Sequence, residues 1–499
     1  TKKFSVLLFT LILALGLFPM GVFAASIPVT PTSTASITIN NAVENDELAA
    51  YKVVDITYDE TSNHVSYAWN SAFADYFAQT NSVTNSANQA YTIEQFAALT
   101  DDSDDLKNLL AGLPKYIADN NIDAAKTATV GEGGTATFAN LAMGEYFIRP
   151  SSTTSVYQLM LQKIEPKVEE DSEGNPHYVI EDVTFTAKKE EVTITKTADK
   201  TSVTKNEKVA YTVAVDIPTY SAEATDKTIY VSDLLPDGLT IDTASINVKI
   251  GGTAVDKTAY TLDTTATKDY TFKLSVSTQQ YTNSWTNQGG NKLVITYTAT
   301  LNNDNTTEVN VIETNTATFD YSFYPYVENS HKQKTDTVDV TTFAIKIDKY
   351  VAGSHATKLA DAKFDLYRTA TDAEIAAGVT ETIPHTTING IKLESDVVTN
   401  DSGVATFEKY EANGTKYDYY LVETQAPHGY NILAEAVKVN FTDAEATNGV
   451  YTVKVPNSSG ITLPITGDEG IVIFTVIGIA FMGGAVILFV LFHKKAKAN

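Results

Sequence analysis

The chain has 499 residues, with 61 acidic against 36 basic side chains and a formal net charge of −25. That length predicts several domains rather than one, and 43% hydrophobic with 19% charged residues suits core-forming domains, not a disordered chain. A surface so acidic repels nucleic acid and anionic lipid, which argues against polyanionic partners. With no cysteine, neither disulfides nor thiolate metal sites are available.

In chain order, residues 1–25 read as a signal peptide. Lys2 and Lys3 precede an apolar stretch to Phe18, and Val22-Phe23-Ala24 forms a cleavage site, so the mature chain is expected from Ala25 or Ser26. Residues 26–187 predict a first domain in which "AYKVVDITYDE" and "GTATFANLAMGEYFIRP" supply strands. The helical pieces "AWNSAFADYFAQ" and "TIEQFAALTDDSDDLKNLLAGLPKYIADN" look like insertions beside a sheet. Residues 188–341 predict a second domain, with alternating strands "EVTITKTADK", "KVAYTVAVDI" and "NKLVITYTATL". Residues 342–460 predict a third, opening on "TFAIKIDKY". The class is all-β, with sandwich domains in series. Residues 461–499 hold "ITLPITGDEG", an uncharged apolar run over 470–492 and a basic tail with Lys494, Lys495 and Lys497. As a helix the run is about 33 Å long, enough to cross a bilayer with the tail in the cytoplasm.

Strand parity then isolates a few polar side chains. Phe343, Ile345, Ile347 and Lys349 share one face, as do Tyr419, Leu421 and Glu423, and Tyr451, Val453, Val455 and Asn457. A lysine, a glutamate and an asparagine therefore point into one apolar interior, while Lys346 lies on the opposite face. The second domain offers a parallel set: Lys196 with Val192 and Ile194, Asp233 with Val231, and Asn315 with Ala317 and Phe319. Lys200 has the same parity as Lys196 and remains a rival. Unreacted, such buried groups are costly, because buried charges need partners. The first domain has no equally clear set; Lys52 and Glu145 are its nearest fragments. The seven histidines are scattered without zinc-like spacing, and neither a Gly-x-Ser-x-Gly elbow nor a Walker loop occurs.

Several of these stretches resemble known ones. Leu463-Pro464-Ile465-Thr466-Gly467, followed by an apolar span and a basic tail, resembles the sortase sorting signal of Gram-positive surface proteins. "YDYYLVETQAPHGY" resembles the E-box of Gram-positive pilins through Tyr419, Leu421, Glu423, Thr424, Ala426, Pro427, Gly429 and Tyr430. "FAIKIDKYVAG" and "KLADAKFDLY" are similar to the first strands of the collagen-adhesin B-type sandwich. "YVSDLLPDGL" resembles the middle domain of pilin shafts, where an aspartate stands before a Leu-Pro-x-Gly-Leu turn. "YQLMLQKIEPKVEED" is similar to a degenerate pilin acceptor motif: Pro166-Lys167 is present with Ile164, but Glu165 stands for a tyrosine and the tryptophan is missing.

On these stretches the chain is identified as resembling the backbone (major) pilins of Gram-positive sortase-assembled pili. The resemblance implies tandem immunoglobulin-like (CnaB-like) β-sandwich domains. It implies that a sortase cuts between Thr466 and Gly467 and joins Thr466 to Lys167 of the next copy, with Lys163 as the alternative. It also implies Lys349–Asn457 and Lys196–Asn315 isopeptide bonds, assisted by Glu423 and Asp233, each tying the first strand of its domain to the last. The lysine attacks the asparagine side chain, ammonia leaves, and the acid shuttles protons. The implied location is the cell surface, in the pilus or wall. Implied partners are pilin-specific and housekeeping sortases, further copies of the chain, minor pilins, peptidoglycan and host surface or matrix ligands. No cofactor is implied, nor any reaction on an external substrate. Two other readings stay open: a wall-anchored monomeric adhesin, which needs Thr466 but no acceptor lysine, and a minor or base pilin.

Overall fold

The computed structural model describes residues 27–78, 90–100, 103–152, 155–302, 312–410, 417–441, 446–447 and 449–459. The expected signal peptide, sorting motif and apolar run lie outside these residues. Among the described residues, no helix is long and apolar enough to cross a membrane.

The N-terminal part is built on strands Glu47–Asp59 and Gly144–Ser152, paired antiparallel and extended by His64–Trp69, Lys126–Thr129 and Met160–Ile164. In a second sheet, Thr34–Asn40 lies between Val183–Thr186, which is parallel to it, and Ala136–Ala142, which is antiparallel. Period-two patterning explains the first of these strands: Ala35, Ile37 and Ile39 are buried and their neighbours are not. The helical segments Ala74–Ala78, Ile93–Ala97 and Asp104–Asp119 lie beside the sheet. Ser103 caps the longest by accepting from the Leu106 amide. That helix buries Leu106, Leu109, Leu110, Leu113 and Ile117, the spacing of a single helical face. Trp69 stacks on Phe77 with ring centroids 3.7 Å apart, fixing the first helix against the strand edge.

The middle part is a sandwich of two antiparallel five-stranded sheets. One runs Ile194–Ala198, Lys208–Asp216, Lys292–Leu301, Leu239–Ile250 and Thr253–Ala254. The other runs Thr261–Asp263, Phe272–Val276, Ile229–Leu234, Ile312–Ser322 and His331–Thr341. Along Lys292–Leu301, every second residue (Leu293, Ile295, Tyr297, Ala299, Leu301) is buried between the sheets.

One expectation fails here. Asn315 does not lie on the last strand but on the penultimate one, Ile312–Ser322, which turns back into His331–Thr341. The stretch "HKQKTDTVDV" reads as a polar boundary because the strand is an edge. Only Val340 on it is buried, so the segment carries almost no apolar face.

In the C-terminal part, Phe343–Val351 lies beside Val450–Asn457 as a parallel pair, with Lys349 opposite Val455 and Val351 opposite Asn457. The facing sheet orders Glu381–Thr382, Asn389–Val398, Lys363–Thr369, Tyr419–Gln425 and Val437–Lys438. The last strand thus has an early strand as its parallel neighbour both here and in the N-terminal part. The N-terminal and middle parts are joined closely. Lys189–Glu191 pairs antiparallel with Ser155–Tyr157, Val156 and Ala111 pack into the middle core, and the Arg149 guanidinium lies 5.9 Å from the centre of the Tyr324 ring.

The final hairpin of the middle part is pinned by a histidine clamp. His331 Nδ1 meets Asp320 at 2.5 Å and Nε2 meets Asp226 at 3.1 Å. Burial alone lowers the histidine pKa, but hydrogen bonds to Asp226 and Asp320 outweigh it and raise the pKa to about 9. A raised folded-state value stabilises fully below the unfolded pKa of about 6.5, and the gain is lost as pH rises through about 9. The thermal midpoint of the middle domain is therefore expected to fall between pH 6.5 and pH 9, by an amount equivalent to about 3 kcal/mol at most. His331→Gln should flatten that slope. A midpoint with the same pH dependence in both proteins counts against the clamp.

Candidate functional site

The parallel pairing of Phe343–Val351 with Val450–Asn457 puts Lys349 and Asn457 on one inward face, two residues apart in register. Glu423 reaches the same point from Tyr419–Gln425 in the opposite sheet. Lys349 is 0%, Asn457 1% and Glu423 2% exposed. Lys349 Nζ donates to Asn457 Oδ1 at 2.5 Å and lies 3.0 Å from Glu423 Oε1. Asn457 Nδ2 donates to both oxygens of Glu423, at 3.0 and 3.2 Å, and the Leu433 amide donates to Oε2 at 2.8 Å. The Phe364 ring centre stands 5.3 Å from the amine. Burial lowers the Lys349 pKa and outweighs the opposing attraction of Glu423. Chemically this is an amine against an amide carbon, with one carboxyl touching both the nucleophile and the nitrogen that would leave.

The middle sandwich assembles a similar set from four strands. Lys196 comes from Ile194–Ala198 and Tyr297 from Lys292–Leu301 in one sheet; Asp233 comes from Ile229–Leu234 and Asn315 from Ile312–Ser322 in the other. Lys196 is 4%, Asp233 1% and Asn315 0% exposed. Lys196 Nζ forms an ion pair with Asp233 Oδ2 and donates to the Tyr297 hydroxyl at 2.9 Å. That hydroxyl donates to Asp233 Oδ1 at 2.9 Å and accepts from Asn315 Nδ2 at 2.8 Å. Burial pushes the Lys196 pKa down and the Asp233 pKa up. Both shifts favour the neutral amine, which is the nucleophilic form, and a protonated acid.

Tyr297 was not singled out from sequence. Its inward parity in "NKLVITYTATL" was legible, but an inward tyrosine between isoleucine and alanine reads as core. Only the hydrogen bond that its hydroxyl accepts from Lys196 Nζ shows that the oxygen is aimed at the lysine.

The rival residues are placed elsewhere. Lys200 ion-pairs with Glu207 at 2.7 Å, about one quarter exposed, and Lys346 is half-buried on the outward face of its strand. In the N-terminal part Lys52 pairs with Asp55 at 2.9 Å, Glu145 stands opposite Lys163 in the strand register, and no described lysine there is buried. Lys167 opens strand Lys167–Glu170 with its side chain 59% exposed, pairing with Glu181 at 2.7 Å. Lys163 is 49% exposed and pairs with Glu165 at 2.8 Å. Both amines are reachable from solvent. Leu463, Pro464, Ile465, Thr466 and Gly467 lie outside the described residues.

Residues 343–456 match the SpaA family, a prealbumin-like fold domain, and residues 455–497 match the LPXTG cell wall anchor motif. Fimbrial subunit type 1 of Actinomyces viscosus is 27% identical over 338 residues, covering 58% of this chain and 62% of that protein. The chain therefore spans less than two thirds of that relative's length. Among solved structures, the T6 backbone pilin of serotype M6 Streptococcus pyogenes, described as a modular three-domain structure, superposes with a TM-score of 0.57 at 18% identity, covering 88% of this chain and 91% of that one. The full-length major pilin SpaD of Corynebacterium diphtheriae gives 0.51 at 17% identity, covering 87% and 99%. At such identities the likeness is one of fold: this chain has the tandem β-domain architecture of backbone pilins. Its anchor motif is that of a surface protein attached to the cell wall.

Proposed function

We propose that the chain is the major structural subunit of a covalent cell-surface pilus, stabilised by a Lys349–Asn457 and a Lys196–Asn315 isopeptide bond. The observation that carries this reading is the recurrence, in two successive sandwiches, of a buried lysine, acid and asparagine, in direct contact in the C-terminal one and linked through the Tyr297 hydroxyl in the middle one, on a chain that carries a wall-anchor motif. A monomeric wall adhesin needs the anchor, but nothing in that role calls for an acceptor lysine.

Bond formation needs no external reagent. The neutral lysine amine adds to the asparagine side-chain carbon, the C–Nδ2 bond breaks, and the nitrogen leaves as ammonia. In the C-terminal domain, Glu423 takes the surplus proton from Lys349 and returns it to Asn457 Nδ2, since it touches both. The apolar enclosure keeps competing water away from the amide and holds the reacting groups at contact distance.

Polymerisation is assigned to a sortase, which cuts between Thr466 and Gly467 and transfers the Thr466 acyl group to an amine of the next copy. Pro464 fixes its own φ and biases Leu463 to an extended form suited to an enzyme groove. Lys167 is the proposed acceptor, exposed and preceded by the rigid Pro166, with Lys163 as runner-up. Head-to-tail joining of one surface to a different one does not close, so it gives a fibre. The housekeeping sortase, minor pilins, peptidoglycan and host ligands are the remaining proposed partners. In this role the chain is a substrate and a building block, with no reaction on external molecules.

Two experiments test the reading. Intact mass of the chain purified from cells lacking sortase should fall two ammonias below the value calculated for the sequence without its signal peptide. Glu423→Ala and Asp233→Ala should each weigh one ammonia more than expected for the substitution alone, and a wild-type mass equal to the calculated one removes both bonds from the proposal. Boiled, denaturing gels of wall extracts should show a ladder that disappears in Lys167→Ala. A ladder in both strains moves the acceptor to Lys163 or beyond, and a single band in both leaves a wall-anchored monomer.

A further inference from the structure

The two buried sets differ in one respect that the shared chemistry does not explain. In the C-terminal domain the carboxyl of Glu423 touches the attacking amine and the leaving nitrogen at once. In the middle domain the acid is an aspartate, one methylene shorter. It meets Lys196, but among the described residues it makes no hydrogen bond to Asn315. The partner of Asn315 Nδ2 is the Tyr297 hydroxyl, at 2.8 Å, and that hydroxyl donates in turn to Asp233 Oδ1 at 2.9 Å.

We propose that the Tyr297 hydroxyl is the proton relay of the middle-domain crosslink, carrying to the departing Asn315 nitrogen the proton that Asp233 is too short to deliver. The inference rests on the Lys196–Asn315 bond proposed above. Lys196 Nζ adds to Asn315 Cγ. As the C–Nδ2 bond breaks, Tyr297 passes its hydroxyl proton to Nδ2 and takes the proton that Asp233 carries, and Asp233 then takes the surplus proton of the amine, so ammonia leaves and both Tyr297 and Asp233 end as they began. A single proton travels from amine to ammonia by way of two side chains, and no oxidant or cofactor enters.

The site is built to hold that hydroxyl in place. Tyr297 is 1% exposed. Its ring stacks on Tyr211, directly opposite in the neighbouring strand, and meets Phe272 edge-on with centroids 5.2 Å apart. A ring held on two sides leaves the oxygen little freedom, which is what a relay between fixed donors and acceptors requires. Burial raises the phenol pKa far above its ordinary value, so the relay starts with its proton in place. A purely structural tyrosine needs one hydrogen-bond partner when buried; this one contacts the nucleophile, the acid and the leaving group together.

The test follows crosslinking of the full chain after a pulse of synthesis in sortase-deficient cells, with peptide mass mapping to separate the two bonds. The Lys349–Asn457 bond in the same molecule serves as an internal clock. Tyr297→Phe keeps the ring and its stacking but removes the oxygen. It should slow the Lys196–Asn315 bond on the order of 100-fold relative to that clock, the usual share of a general acid. Adding Asp233→Glu to Tyr297→Phe lengthens the acid to match Glu423 and should restore much of the rate. A Tyr297→Phe chain that crosslinks at the wild-type rate overturns the relay. So does a double variant as slow as the single one, since the loss is then one of packing. If the wild type never carries the Lys196–Asn315 bond, or Asp233→Ala still forms it, the failure belongs to the crosslink reading itself.

Discussion

A lysine amine sealed inside an apolar sandwich is the constraint around which the middle and C-terminal domains are arranged. An ammonium taken out of water loses far more solvation than one ion pair returns. Each of these lysines is therefore met by a carboxyl and an aromatic ring, and Lys349 by an asparagine amide as well. Those partners come from different strands and both sheets, so the sandwich must close before the set exists. Folding precedes any chemistry at these groups: the enclosure pushes both lysine pKa values down, toward the neutral amine.

How much of this was legible in the sequence follows from the period of the strand. With alternate side chains on opposite faces, Lys349 fell into step with Ile345 and Ile347, and Asn457 with Val453 and Val455. Lys196, Asp233 and Asn315 followed by the same rule. Parity says which face a residue occupies, not which strands are neighbours. It could not separate Lys196 from Lys200, which the fold does by giving Lys200 a surface partner in Glu207. Nor could it show that the polar run after Tyr326 is a further strand, because an edge strand needs no apolar face. Tyr297 escaped for a different reason. A tyrosine among Val, Ile and Thr carries the pattern of core filling, and its second identity lies wholly in the direction of one oxygen.

The two domains reach similar chemistry by different geometry. In the C-terminal domain the lysine and asparagine stand on adjacent parallel strands of one sheet, and the acid crosses from the other. In the middle domain the lysine and asparagine belong to opposite sheets. The N-terminal domain, like the C-terminal one, sets an early strand parallel to its last. Its inward residues Ala35, Ile37 and Ile39 are apolar throughout, so that topology alone does not bring a crosslink with it.

The penultimate position of Asn315 has a mechanical consequence. With Lys196 joined to Asn315, tension entering the middle domain passes across the bond, and everything between the two residues is shielded from load. The strand His331–Thr341 stays outside that shunt. Asn315 lies opposite Val338 in the hairpin, close to the end where the chain leaves, so a pull on Thr341 opens the ladder one rung at a time rather than shearing all rungs together. Peeling His331–Thr341 alone would release on the order of 40 Å of chain while the core around the proposed bond stays shut. In the proposed pilus the locked middle domain would thus keep a compliant edge, able to lengthen under a sudden load and to zip closed when the load is removed.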